Sequence, residues 1–198
     1  MKTKKYRNHY FILRHGEAFS NKKEVCSCWP ERFHNPLSKK GKEEVKKAGE
    51  RLFKILKGRK IDLIFASDIL RTKQTAKIIS EKINVKPKYD KRLREFNVGD
   101  YNAQPIKEIR KILPNTFDRF KKKLPGGETY SEIKKRIESF LKEIEKKYSH
   151  KNILIISHQV PLAFIEGIIK GMSDKEIFDS FLANCDSRMR TAEIRELI

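Results

Sequence analysis

The chain reads as an α/β fold: a single domain over residues 1–198 with a mostly parallel central sheet and helices on both faces. Three observations carry that reading. Short aliphatic runs alternate with longer segments of helical periodicity. The run Asn152–Ser157 is apolar without alternation, as a parallel strand covered on both faces requires. Three of the runs end on residues that carry chemistry: Leu13 on Arg14-His15, Ala66 on Ser67-Asp68, and Ser157 on His158.

Taken in order, Tyr10 to Leu13 is long enough for one buried strand, and Arg14, His15, Gly16 and Glu17 follow with no spacer. Gly16 lets the backbone turn sharply and a ligand approach closely. Alone, these residues are equally a strand end with a surface arginine and an incidental histidine. Residues 22–37 read as a loop. Cys26-x-Cys28 with His34 nearby offers metal-ligand types, but the spacing fits no common zinc pattern and a fourth ligand is missing. No metal is expected there. Trp29 and Phe33, in a polar loop after a strand end, are candidates to wall a pocket.

Ser38 caps a helix over Lys39–Leu56, whose Val45, Ala48, Leu52 and Leu56 keep helical spacing, and Gly58 ends it. Ile61–Ala66 is the second strand. It leads into a helix running to about Ile83, capped by Ser67 or Asp68, with Arg71 in the first turn. An arginine there meets an anion that the helix N-terminus also favours. Lys88–Leu93 is a short strand, and the turn-rich Leu93–Tyr101 carries Glu95. Residues 105–122 are helical with a break at Pro114. After the Pro125-Gly126-Gly127-Glu128 loop, a helix to about Tyr148 bears the apolar stripe Tyr130, Ile133, Ile137, Phe140, Leu141 and Ile144. Pro161 suits the first turn of a helix to about Ile169, and Leu182–Leu197 reads as two short strands around Ser187-Arg188.

Composition narrows the function classes. Hydrophobic residues make up 38% and charged residues 36%, with a net charge of +20. Such a field attracts anions. Lysines spread along every helix make most of it a solvated face, and no aromatic-interleaved basic motif appears, so specific nucleic-acid binding is not expected. No run is long enough for a membrane span or a signal peptide. Cys26, Cys28 and Cys185 form no disulfide framework, which fits a reducing, cytoplasmic setting.

In a doubly wound sheet the strand ends converge on one rim. Two histidines and two arginines there, His15, His158, Arg14 and Arg71, make a pocket for a tetrahedral dianion. A neutral histidine serves as nucleophile, and a carboxyl such as Glu95 as acid for a leaving alkoxide.

These residues carry a resemblance. The chain is similar to the histidine phosphatase (phosphoglycerate mutase-like) superfamily in its Arg14-His15-Gly16-Glu17 opening, its Ser67-Asp-x-Leu-Arg-Thr-x-Gln-Thr-Ala stretch and its Leu93-Arg-Glu-Phe-x-x-Gly segment. The Ser157-His158 strand end, the Pro125-Gly-Gly-Glu-Thr loop and Leu37-Ser38-x-x-Gly41 also agree, all in the family's order. The resemblance implies that His15 becomes phosphohistidine and that Arg14, Arg71 and His158 bind the phosphoryl oxygens. Glu95 would protonate the leaving group and then activate water, and Asn21 and Gln159 would be substrate contacts. Glu17 and Ser67 would orient the arginines. No metal or other cofactor is implied, because arginines supply the positive charge. The chain departs from the family at Gln159-Val160, where many relatives have Gly-Gly, at Ala18 in place of a small hydroxyl residue, and at Ala103 in place of glycine.

The expected function is a metal-independent phosphomonoesterase acting on a small phosphorylated metabolite. A cofactor-dependent phosphoglycerate mutase, an isomerase, is the alternative. The modest insertion Asn102–Leu124 and the end at Ile198 favour the phosphatase. A non-catalytic anion- or nucleic-acid-binding module is the reading from another class; loss of His15 or Glu95 would favour it, and both are present. A homodimer is left open.

Overall fold

The computed structural model describes residues 6–183 and 188–197. Strands β1 (His9–Arg14), β2 (Leu63–Ala66), β3 (Pro87–Tyr89), β4 (Asn152–Ser157) and β5 (Ile194–Glu196) form one sheet in the order β3-β2-β4-β1-β5. The first four are parallel, and β5 runs antiparallel to β1. Around them lie α1 (Phe19–Lys23), α2 (Lys39–Leu56), α3 (Leu70–Ile83), α4 (Ile106–Ile112), α5 (Tyr130–Lys147), α6 (Gln159–Ile169) and α7 (Asp174–Ile177).

Strand parity divides the core in two. Tyr10, Ile12, Phe65, Ile153 and Ile155 point into the layer built by α5 and α6. Their neighbours Phe11, Leu13, Ile64, Leu154 and Ile156 point into the layer built by α2 and α3. A strand buried on both faces needs apolar residues at every position, which is why β1 and β4 read as unbroken runs. Each fully buried aliphatic or aromatic side chain contributes about 1.5–3 kcal/mol of transfer free energy.

The helix ends are written locally. Ser38 Oγ accepts from Gly41 N at 2.9 Å and starts α2 as expected. Thr129 and Glu132 form a reciprocal capping box at the start of α5, whose predicted stripe is buried throughout. The C-cap of α2 is Lys57, at φ +47°, one residue before Gly58.

Several expectations are corrected. Neither Ser67 nor Asp68 caps α3: the N-cap is Ile69, which has no capping side chain. Ser67 Oγ is engaged with His158 and Asp68 with Arg94, so both side chains serve longer-range contacts. The expected strand Lys88–Leu93 is shorter and earlier, because Asp90 accepts from Arg92 N and bends Lys91–Leu93 into a 3₁₀ turn. The segment after Pro114 is a 3₁₀ turn, Phe117–Phe120, rather than a continuation of α4. Helices α1 and α7, and the wide helical turn Phe178–Ala183 that follows α7, were not expected. Among its described residues the tail holds one strand, β5, where two were expected; Cys185 and Ser187 lie outside the described residues.

Register aligns the functional strand ends. Arg14 faces Ser157 across β1 and β4, and Ala66 faces Ile156 across β2 and β4. The next residues on each strand, His15, His158 and Ser67, therefore emerge together at one rim. His15 N donates to the Ser157 carbonyl at 3.1 Å and Ser67 N to that of Ile156 at 3.0 Å.

Candidate active site

His15 leaves β1 where the chain turns at Gly16. There is no room for a side chain at Gly16, since a Cβ would lie 2.4 Å from the Gly41 carbonyl oxygen at the start of α2. Glu17 is fixed in the same place. Its carbonyl accepts from Ser38 N, and its carboxylate accepts from Ser38 Oγ at 2.7 Å and Lys40 Nζ at 3.0 Å. The loop carrying His15 is thus clamped to the first turn of α2.

His15 is 2% exposed and its protonation pattern follows from two contacts. Nδ1 lies 2.8 Å from the Gly16 carbonyl, which can only accept, so Nδ1 carries the proton. Nε2 accepts from Arg71 Nε at 3.2 Å, so its lone pair faces the arginine. Burial, with help from Arg71 and Arg14, pushes the imidazole pKa well below 6.5. The ring is neutral, with the lone pair of its unprotonated nitrogen facing a cationic group.

Arg71, in the first turn of α3, is equally fixed. Its Nη1 donates to Ser27 Oγ at 3.2 Å and its Nη2 to the Ser27 carbonyl at 2.9 Å, while Glu31 lies 3.6 Å from Nη1. Ser27 in turn hangs on Asn35, whose buried amide donates to Ser27 Oγ and Ser20 Oγ, both at 2.9 Å. Arg14 donates through Nη1 to the Met189 carbonyl at 2.6 Å, and its Nε is buried with no partner among the described residues. Burial lowers the pKa of both guanidiniums, and the charge of Glu95 acts in the opposite direction on each.

His158 is the N-cap of α6 and is completely buried. Its ring meets that of His15 edge-on, centroids 5.1 Å apart. Nε2 pairs with Ser67 Oγ at 2.9 Å, and Nδ1 has no partner among the described residues. Burial first, then Arg71, hold it neutral as well. Glu95 sits on the segment after β3, which Ser157 Oγ ties down by donating to the Leu93 carbonyl at 2.6 Å. Glu95 Oε1 accepts from its neighbour Phe96 N at 2.8 Å and is 3.4 Å from Val160 N in the first turn of α6.

These groups open on a cavity of about 220 Å³, lined by Arg14, His15, Asn21, Arg71, Glu95 and Gln159 among others. Asn21 Oδ1 accepts from Ala18 N at 2.9 Å, and Gln159 Oε1 is buried without a partner among the described residues. His158 reaches the centre through its contact with His15. Two expectations fail here. Trp29 and Phe33 do not line this cavity; Trp29 stacks on the Arg94 guanidinium at 3.8 Å, 44% exposed, while Cys26 and Ser27 form that wall. Among the described residues Ser67 and Glu17 bond to no arginine: they hold His158 and the start of α2. Burial pushes the Cys26 thiol up to about 12 and that of Cys28 to about 11, so both stay protonated.

Sequence reasoning missed Ser27 and Asn35, which look like ordinary loop residues, and Arg110, Arg119 and Arg188, which line the same cavity. The only signal for the arginines was Arg among many Lys in the insertion and tail.

Fold and site together define an α/β protein with a cavity lined by histidine and arginines at the carboxyl edge of its sheet. Comparison with known sequences is specific: residues 10–191 match the histidine phosphatase superfamily (branch 1). The chain belongs to that superfamily and is an enzyme of the phosphatase kind. It is 28% identical over 156 residues to phosphoserine phosphatase 1 of Hydrogenobacter thermophilus, covering 76% of this chain and 71% of that protein. It is 27% identical over 170 residues to a probable phosphoglycerate mutase, GpmB, of Salmonella choleraesuis, covering 82% and 74%. A mycobacterial glucosyl-3-phosphoglycerate phosphatase solved with VO3 superposes with a TM-score of 0.79 over 95% of this chain and 91% of that one. At 19% identity this likeness shows the fold alone.

Proposed function

We propose that the protein is a metal-independent phosphomonoesterase that works through a phosphohistidine on His15. The observation that carries this reading is the state of the His15 ring: neutral, Nδ1–H donated to the Gly16 carbonyl, and the Nε2 lone pair facing Arg71. A phosphoryl group drawn to Arg71 and Arg14 brings phosphorus to Nε2, and the arginines take up the charge of the equatorial oxygens in the in-line transition state. The bond from phosphorus to the ester oxygen breaks as that to Nε2 forms. Glu95, protonated, gives its proton to the departing alkoxide. As a carboxylate it then takes a proton from the water that attacks phosphohistidine, which returns His15 and releases inorganic phosphate. His158 backs the ring of His15, and Asn21 and Gln159 contact the substrate.

The test is hydrolysis of p-nitrophenyl phosphate in EDTA, alongside 3-phosphoglycerate with and without 2,3-bisphosphoglycerate. Phosphate release that resists EDTA, with a transient phosphoenzyme labile to acid and stable to base, is the expected result. Bisphosphate-dependent formation of 2-phosphoglycerate would make the enzyme a mutase, and full activity in a His15→Ala variant would end the proposed mechanism.

A further inference from the structure

The arginines of the cavity outnumber what a phosphoryl dianion needs. Arg14 and Arg71 already match its two charges, since both histidines are neutral. Arg110 on α4, Arg119 on the turn after it and Arg188 in the tail line the same space. Among the described residues none of the three has a carboxylate partner, and Glu95 is the only acid in the lining. Clustered cations in a low-dielectric site repel one another unless an anion joins them. That repulsion is already felt, because the charge of Arg188 helps lower the pKa of Arg14.

The far wall is a built structure. Arg119, 8% exposed, donates through Nε and Nη2 to the Pro114 and Leu113 carbonyls, and its Nη1 lies 3.3 Å from Tyr130 Oη. Tyr130 Oη donates to Asn115 Oδ1 at 3.1 Å. Asn115 Nδ2 and Arg188 Nη2 share the Leu182 carbonyl, each at 2.7 Å. The network ends at Arg188 Nε, a buried donor with no partner among the described residues. Arg110, exposed, lines the same cavity and has no carboxylate partner among the described residues. Apolar side chains, Phe96, Val98, Ile106 and Ile109, line the cavity along with these groups and keep the dielectric low.

We infer that the substrate of the proposed phosphatase is a phosphomonoester of a few carbons carrying a second anionic group, which Arg188 and Arg110 bind against the wall that Arg119 and Tyr130 hold in place. The volume of about 220 Å³ limits the carbon skeleton, being below the usual range for larger ligands. The inference rests on the phosphatase reading. A carboxylate and a second phosphate share the required chemistry, so the experiment takes both.

Matched substrates decide it: 3-phosphoglycerate against glycerol 3-phosphate, O-phosphoserine against phosphoethanolamine, and 1,3-propanediol bisphosphate against propyl phosphate. The expected result is a kcat/KM at least tenfold higher for the doubly anionic member of the carboxylate pairs, the bisphosphate pair or both. In Arg188→Gln and Arg110→Gln that ratio falls towards one, chiefly through KM. Arg110 is exposed, so its variant tests the point even if Arg188→Gln fails to fold. A ratio near one in the wild type, or an undiminished ratio in both variants, overturns the inference while hydrolysis of p-nitrophenyl phosphate leaves the phosphatase reading intact. If no ester turns over, that reading fails, and calorimetric affinities for the same pairs still decide whether a second anion is bound.

Discussion

Arg71 Nε donates to His15 Nε2 at 3.2 Å, so the lone pair that attacks in the proposed mechanism and the cation that would receive the phosphoryl oxygens are already in contact. The contact depends on the guanidinium shape: Nε holds the histidine while the two Nη groups reach Ser27. A lysine keeps the charge and loses that fork. Arg71→Lys is therefore expected to lower kcat/KM for an aryl phosphate by about 10²–10³-fold. Steady-state kinetics check this, and a loss under threefold would show that charge alone suffices.

The same geometry reaches Asn35, which touches no lining arginine. Its amide holds Ser27 and Ser20, and its Oδ1 accepts from Ser20 N at 2.9 Å, all in a buried setting. Asn35→Ala leaves several buried polar groups unpaired, which costs about 1–3 kcal/mol for each group that water cannot reach. Because Ser27 positions Arg71, kcat is also expected to fall about tenfold at a temperature where the variant is folded. Asn35→Asp, which keeps the acceptor and loses the donors, should preserve the Ser20 N–H bond and recover part of the stability but not the rate. Urea unfolding combined with kinetics separates the two effects.

His15 and His158 make stability depend on pH with a definite sign. Both have folded-state pKa values pushed well below 6.5 by burial and by the nearby arginines. Below about pH 6.5 the unfolded chain binds protons that the folded chain refuses, so stability is complete above that value and is lost as pH falls. The slope approaches about 1.4 kcal/mol per pH unit for each histidine. The carboxylates held low by partners, such as Asp68 and Glu145, enter only at lower pH. Urea midpoints between pH 7.5 and 5 should fall, with a shallower slope in His158→Asn. A flat midpoint over that range would show that these imidazoles titrate normally.

How much of this was legible in the sequence depends on whether the signal is local. The strand ends Arg14-His15 and Ser157-His158 are local signals, because an aliphatic run that stops on a polar pair leaves no choice of face. The stripe of α5 and the Ser38 cap are local too. Ser67 and Asp68 misled, since a side chain chemically able to cap α3 is used instead by His158 or Arg94, which are distant in sequence. Asn35, Arg119 and Arg188 were invisible for the same reason: their meaning lies in a neighbour many residues away. Trp29 suggested a pocket wall as an aromatic in a polar loop after a strand end, and Arg94 claims it from outside the cavity.

Ala103 stands where the family carries glycine, and its backbone shows what the departure involves. It sits at φ +77°, where L side chains are strained by about 1–2 kcal/mol, while its N–H is kept by the Cys26 carbonyl at 3.1 Å. Ala103→Gly relieves the strain and adds some unfolded-state entropy, for a net gain of about 0.5–1 kcal/mol. Thermal unfolding should move up by a few degrees. A lower midpoint would mean that the methyl group packs better than the strain suggests.

Glu95 allows the proposed proton transfer to be tested apart from phosphoryl binding. Its backbone is fixed by contacts that do not involve the carboxyl, among them the Arg136 guanidinium, which donates to the Glu95 carbonyl at 3.4 Å and pairs with Glu128. Glu95→Gln therefore leaves the segment in place while removing the exchangeable proton. An alkoxide leaving group needs that proton in the transition state; a nitrophenolate, stable as an anion, does not. Formation of the phosphoenzyme from an alkyl phosphate is expected to slow by about 10²–10⁴-fold, and that from p-nitrophenyl phosphate by much less. In the proposed mechanism the water attack that follows needs Glu95 as base whatever the first leaving group was. The variant should therefore show a burst of nitrophenolate followed by slow turnover, visible by rapid mixing. Equal slowing of the burst for both ester types would remove Glu95 from the acid role, and a normal steady-state rate after the burst would remove it from the role of base.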